Sequence, residues 1–326
     1  VFADYQDNHE EFDKKVSFSI QRVGGIKLFR KYRKANLINE FIKKNKIDGI
    51  IADHWKSLEL INTNKKRICL IHSKEINHNK GTSLNKRVLN VLNNTDFIIA
   101  NSKFTKDLAL NCGVEENRIS VINPGIEEAR CLNKKSLNDV EKLLKYKTPR
   151  LITISRFDKR KNHEKIIMAL KNLKQKYPSI VYICVGYGEE EENIKRLTSE
   201  LNLKEQVMFF KDITNDLKNS LLAKSNIFVM PSIVYKKSVE GFGISYIEAA
   251  QYGVPSIGGK DGGASDAIEH EKTGLICDGN SLEDIYSSIN QMIENNKYIE
   301  YGKEAKKNST KFSWDKIILE YKKILN

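Results

Sequence analysis

Short runs of β-branched residues alternate along the whole chain with amphipathic helical stretches. A strand followed by a helix returns parallel to its neighbour, so repeated βα units predict parallel sheets covered by helices. Residues 49–52, 67–71, 97–100 and 120–122 read as strands of a first series. A turn signal at Asn123-Pro124-Gly125 and a charged, strandless stretch over 133–148 end it. A second series has strands at 150–155, 181–185, 207–210, 227–230, 255–257 and 274–276. Its first helix takes Asn162 as N-cap, places Ile166, Ile167, Leu170 and Leu173 at helical spacing, and stops before Pro178.

With 326 residues the chain is too long for one ordinary α/β domain and suits two. The boundary is expected at 147/148, and a tail helix at 314–325 presents Trp314, Ile317, Ile318, Tyr321 and Leu325 on one side. No apolar run approaches the length of a bilayer span. The five cysteines, odd in number and without a Cys-x-x-Cys pair, argue against a disulfide framework and a structural zinc site, and for a reducing compartment. The net charge of +13 is concentrated in the first half: residues 1–146 hold 27 basic and 18 acidic side chains. Nucleic acid, an anionic membrane surface and a phosphorylated substrate all fit that bias, as does a lysine-rich proteome.

Two segments carry chemistry. In Val239-Glu240-Gly241-Phe242-Gly243-Ile244-Ser245-Tyr246-Ile247-Glu248 the glycines flanking Phe242 let backbone approach a ligand at a helix start, where free N–H groups favour a phosphate. Eight residues separate Glu240 from Glu248, roughly 12 Å along a continuous helix, about the span from a hexose across a diphosphate to a ribose. In Ser155-Arg156-Phe157-Asp158-Lys159-Arg160-Lys161-Asn162, at a strand-to-helix junction, Arg156 can fork onto phosphate oxygens and Lys161, taken as an exposed loop cation, adds a point charge.

Taken with Val185-Gly186-Tyr187-Gly188, Gly262-Gly263-Ala264, Thr273-Gly274-Leu275 and the Ser313-Trp314 tail, these segments resemble the family-4 retaining glycosyltransferases of the GT-B fold. The resemblance implies two Rossmann-like α/β domains facing across a cleft. One is the acceptor-side domain of residues 1–147, completed by a helix over 311–326; the other is the nucleotide-sugar-binding domain of 148–310. It implies Glu240 on the donor hexose, Glu248 on the ribose, and Gly186 with the amides of Gly241, Phe242, Gly243 and Ile244 around the nucleotide and its phosphates. Arg156 and Lys161 would hold the diphosphate. The family's His-Gly-x-Glu pattern becomes His72-Ser73-Lys74-Glu75, making His72 the candidate for the transferred sugar or the acceptor. The family's first strand and glycine-rich loop have no counterpart before Val1-Phe2-Ala3, which reads like a strand's end. A βαβ start of roughly 30 residues is expected to be missing.

The implied reaction is retaining hexosyl transfer, from GDP-mannose or a UDP-sugar to a glycan or lipid-linked acceptor, in polysaccharide or glycolipid biosynthesis. The donor's leaving phosphate takes the acceptor's proton. No Asp-x-Asp element is present, so no cofactor and no bridging metal ion are expected. The basic, aromatic run Lys27-Leu28-Phe29-Arg30-Lys31-Tyr32-Arg33-Lys34 suits peripheral contact with anionic lipid at the cytoplasmic face of a membrane, or equally a solvated helix face. Two other classes compete. A basic nucleic-acid-binding protein lacks a recognisable module, so no nucleic-acid partner is expected, and a nucleotide-sugar epimerase of the same fold lacks acid/base groups that can be located.

Overall fold

A computed structural model describes residues 1–325. The chain divides into two compact units, one made of Val1–Ile71, His78–Ala100 and Ala109–Ser120, the other of His72–Asn77, Asn101–Leu108 and the chain from Val121 onward. Every strand expected from the sequence forms, with ends shifted by one or two residues.

The first part of the chain runs β1 (Phe2–Asp4), α1 (Glu10–Asp13), β2 (Gln21–Val23), α2 (Lys27–Lys44), β3 (Gly49–Ala52), α3 (Trp55–Leu58), β4 (Lys66–Ile71), α4 (Ser83–Asn93), β5 (Phe97–Ala100), α5 (Lys103–Cys112) and β6 (Ile119–Val121). Strand β1, where the sequence reads as a strand's end, and β2, too short to stand out, form a parallel pair of their own. The others form a four-stranded sheet in the order β3-β4-β5-β6. Helix α4 shows why the local sequence folds as it does. The Thr82 side chain accepts from the Asn85 N–H, capping the helix, and Val88, Val91 and Leu92 recur at helical spacing and are buried. Each such side chain contributes about 1.5–3 kcal/mol on leaving water.

The chain continues through α6 (Lys134–Leu143), β7 (Arg150–Ile154), α7 (His163–Lys176), β8 (Val181–Val185), α8 (Glu191–Glu200), β9 (Val207–Phe210), α9 (Asn215–Ala223), β10 (Ile227–Met230), α10 (Ile244–Gln251), β11 (Ser256–Gly259), α11 (Ala264–Ala267), β12 (Gly274–Cys277), α12 (Leu282–Ile293), α13 (Lys297–Ser309) and α14 (Trp314–Leu325). Its six strands are parallel, in the order β12-β11-β10-β7-β8-β9. Successive strand residues point to opposite faces, so Leu151, Tyr182 and Cys184 enter one core with α7 and α12. Ile152, Ile183 and Val185 enter the other, with α6, α9 and α10. Strands apolar on both faces are what a parallel sheet sandwiched between helices requires.

Residues 121–147, read from the sequence as part of the first domain, group with this second unit. Val140 and Leu144, four apart on and just after α6, are buried in its core, and Ile126 N donates to Phe312 O at 2.8 Å. The tail α14 also groups here, and of its apolar face only Ile317 is buried while Trp314 and Ile318 stay half exposed. Residue 326 of the expected 311–326 helix lies outside the described residues.

Candidate functional site

Strand β7 is flanked by β8 and β10, so the chain leaves it in one direction through β8 and β9, then crosses back to build β10, β11 and β12 on the other side. At such a reversal the connections leaving the strands' carboxyl ends diverge to opposite faces and open a crevice. The segment 155–162 leaves β7 there, and 231–243 leaves β10.

The β7 loop is pinned by Phe157, which is buried, and by Asp158, whose carboxylate accepts the Lys161 N–H at 3.2 Å to close a turn over Lys159–Lys161. That turn points Arg160 and Lys161 inward, each only 8% exposed. Arg156 points outward to solvent, with Nη2 3.4 Å from Asp158 Oδ2. Lys161 is therefore not the exposed cation that the sequence suggested. Asn162, expected as the helix cap, holds a left-handed backbone at φ 65° and makes no side-chain cap. Its amide instead donates to the carbonyls of Pro231 at 3.0 Å and Gly279 at 2.8 Å.

Glu240 lies on the β10 side, its backbone bridged to Gly262 and its carbonyl accepting the Gly263 N–H at 2.8 Å. Its carboxylate accepts from Arg160 Nη1 at 2.8 Å and from Lys161 Nζ. Burial alone would raise the Glu240 pKa, but Lys161 and Arg160 outweigh it and hold the carboxyl below the ordinary range. Burial pulls the Lys161 ammonium below the usual lysine range, with Glu240 opposing.

Behind the loop runs a buried polar chain. Thr153 Oγ1 donates to the Val229 carbonyl, so it accepts from Tyr182 OH at 2.8 Å, which in turn accepts from His163 Nδ1 at 2.8 Å. A carbonyl can only accept, so the direction is fixed. It leaves His163 Nε2 without a proton, facing Ser155 Oγ at 3.0 Å, and the single proton of that hydroxyl also has the Arg156 carbonyl within reach at 3.1 Å. Burial, with Lys161 nearby, pushes the His163 pKa down to about 3.

Glu240 is followed by the glycine turn into α10. The helix begins only at Ile244, so Glu240 and Glu248 are not joined by continuous helix and the 12 Å expectation does not apply. Gly243 caps the helix at φ 91°, a conformation that disfavours any side chain. At Gly241 a Cβ would collide with the His72 carbonyl, which places the backbone of His72 against this turn. Phe242 turns into the core, its ring 5.6 Å from Phe312. Gly186 follows β8, its N–H donating to Phe210 O at 2.9 Å. Ser73 is buried at φ 113°, the backbone of a glycine in a residue that is not one.

One turn into α10, Glu248 pairs with Lys218 at 3.2 Å and lines a groove of about 250 Å³ together with Ile244, Asn215, Arg130 and Trp314. The structure thus brings Glu240 and Lys161 into contact, sets His72 and Gly241 side by side, and puts Glu248 on a separate groove shared with Ile244. Arg160 and Lys218 were missed in the sequence. The run of three basic residues before Asn162, Lys159-Arg160-Lys161, was the available signal for Arg160; none marked Lys218. Among the described residues no three His, Cys, Asp or Glu side chains stand close enough to hold a metal ion, and no helix is long and apolar enough to cross a membrane.

A parallel sheet wrapped on both faces, with basic and glycine-rich loops at the point where its strand order reverses, defines a doubly wound α/β protein. The chain belongs to the glycosyl transferases group 1 family, whose model matches residues 135–312; a second model, Glycosyltransferase Family 4, matches residues 3–130. Its fold is GT-B, α/β with parallel sheets. HepE of Anabaena, solved in complex with UDP-glucose, aligns over 99% of this chain and 91% of its own with a TM-score of 0.83 at 17% identity. A GDP-mannose-dependent alpha-(1-6)-phosphatidylinositol monomannoside mannosyltransferase of Mycolicibacterium smegmatis is 31% identical over 147 residues, 44% of this chain and only 38% of that relative's length. An uncharacterized glycosyltransferase of Haemophilus influenzae is 26% identical over 88% of this chain and 79% of its own.

Proposed function

We propose that the chain moves a hexose from a nucleotide-diphosphate sugar to a glycan or lipid-linked acceptor with retention of configuration. The observation that carries this reading is the buried Glu240 carboxylate, held by two cations immediately before the glycine turn that opens α10. In it, Glu240 accepts hydrogen bonds from hexose hydroxyls and Glu248 from the ribose. Lys161, Arg156 and the N–H groups of Gly241–Ile244 take the diphosphate, stabilising the charge that develops as it leaves. The bond from the anomeric carbon to phosphate breaks, the bond to the acceptor oxygen forms on the same face, and the acceptor's proton passes to the departing phosphate. His72 faces the transferred sugar or the acceptor. No bridging metal is needed where side-chain cations and helix amides already neutralise the diphosphate, so chelation is expected to leave transfer intact.

GDP-mannose is the first donor to test, because relatives whose names state a donor state that one; a UDP-sugar is the other, as in the HepE complex. The exposed Leu28, Phe29 and Tyr32 on the basic helix α2 support peripheral contact with anionic lipid at the cytoplasmic face. A thermal-shift panel of nucleotide diphosphates and their sugars tests the reading. A ligand at a hundredfold excess over its Kd adds about 2.7 kcal/mol. No shift with any member would refute it, and the anomeric coupling of the product by NMR decides retention.

A further inference from the structure

We infer that Arg160 is a positioning residue for this transfer: it keeps Glu240 ionised and in place when Lys161 leaves that carboxylate for the donor diphosphate. The inference rests on the transferase reading above.

One carboxylate here serves two cations, since Oε2 of Glu240 accepts from both Arg160 Nη1 and Lys161 Nζ. Glu240 is only 9% exposed, and a carboxylate so buried cannot stay bare; without a cation it takes up a proton. If Lys161 were its sole partner, binding a diphosphate through Lys161 would strip Glu240 and neutralise the group meant to accept from the sugar. The second cation removes that conflict.

The two cations are also suited to different roles. Arginine stays charged at any working pH and holds a rigid fork, whereas lysine is a point charge on a flexible stem. Arg160 is braced on its other side by Asp158, with Nη2 3.9 Å from Oδ2, and Asp158 itself closes the turn. Lys161's remaining neighbour is the Met230 sulfur at 3.3 Å, a weak acceptor that gives little reason to stay. The other titratable groups around Glu240 do not replace Arg160. Tyr246, whose hydroxyl donates to the Met230 carbonyl, is kept protonated by burial, and His163 is neutral. Arg160 Nε is buried without a protein partner, so direct donation from Nε to the donor is the competing role.

The test is calorimetry of UDP and GDP binding to the whole chain in two buffers of different ionisation enthalpy. It is run at about pH 8, well above the second phosphate pKa of about 6. Wild-type protein is expected to bind with no proton uptake. Arg160→Met is expected to bind at least tenfold more weakly, to take up close to one proton per site, and to tighten about tenfold for each pH unit lowered. Arg160→Lys restores the wild-type pattern, and adding Glu240→Gln to Arg160→Met abolishes the uptake. If Arg160→Met does not fold by circular dichroism, Arg160→Gln carries the same comparison. Weakened binding without proton uptake assigns Arg160 to direct contact and overturns the inference, as does unchanged binding. Wild-type protein that binds neither nucleotide sinks the transferase reading first.

Discussion

Lys161 and Glu240 share one buried ion pair although 79 residues separate them in sequence. They meet because β7 and β10 are neighbours in the sheet, and each residue follows the carboxyl end of one of those strands. Arg160 joins the same carboxylate from the same turn, which makes the removal of either side unequal.

Glu240→Gln leaves two buried cations facing a neutral amide and is expected to cost about 3–5 kcal/mol, while Lys161→Ala leaves Glu240 with Arg160 and should cost about 2 kcal/mol. Urea unfolding of the two variants checks the order. Both should lose transfer; equal destabilisation would mean that Arg160 does not share the carboxylate.

Arg156 presents the opposite case, its side chain 75% exposed. Arg156→Ala is expected to leave stability within about 0.5 kcal/mol and yet to weaken nucleotide-diphosphate binding, with Arg156→Lys intermediate because the bidentate fork is lost. Titration calorimetry beside thermal unfolding separates the two effects. Unchanged affinity would remove Arg156 from the diphosphate.

Ser73 stores backbone strain at φ 113°. Ser73→Gly relieves about 1–3 kcal/mol of it and gives back about 0.4–1 kcal/mol through a freer unfolded chain. A net gain of about 1 kcal/mol in chemical denaturation is expected, and a loss would show that the serine hydroxyl contributes more than its conformation costs.

His163 provides a pH signature. Its folded pKa, near 3, lies below the unfolded value of 6.5, so the unfolded chain binds the extra proton. Its stability contribution is complete above about pH 6.5 and falls by about 1.4 kcal/mol per unit as the pH drops from there toward 3. In His163→Gln this slope should vanish from the stability profile over that window, whatever the variant's overall stability. A slope that persists unaltered would place the acid sensitivity elsewhere.

Much of this was legible in the sequence, for reasons that particular residues show. Ile152 and Ile183 sit in strands apolar on both faces, and a central parallel strand has no other way to look. The turn around Gly241 and Gly243 was readable because only glycine suits that backbone. What escaped were features decided by tertiary neighbours. Nothing local says that Lys161 points inward and Arg156 outward; Phe157 and Asp158 decide that by pinning the loop between them. Asn162 does stand at the N-cap of α7, as its sequence position suggested, but nothing local showed that its side chain would make no cap bond and would donate instead to the carbonyls of Pro231 and Gly279, distant in sequence. Val140 and Leu144 were hidden in a charged stretch, where two apolar residues suffice once a sheet face is there to receive them.

The reversal of strand order at β7 also divides the second unit into two zones of different mutability. Connections from strand to helix, 155–162 and 231–243 among them, emerge where the ions and the glycine turn are gathered. Connections from helix back to strand emerge from the opposite end of the same sheet. The one between α8 and β9 exposes Lys204 and Glu205 between the buried Leu203 and Gln206. A label on the exposed side chain of Lys204 or Glu205 would stand at the end of the sheet away from the loops that carry Lys161 and Glu240, so this end of the molecule is the place for fluorophores, affinity handles or surface immobilisation.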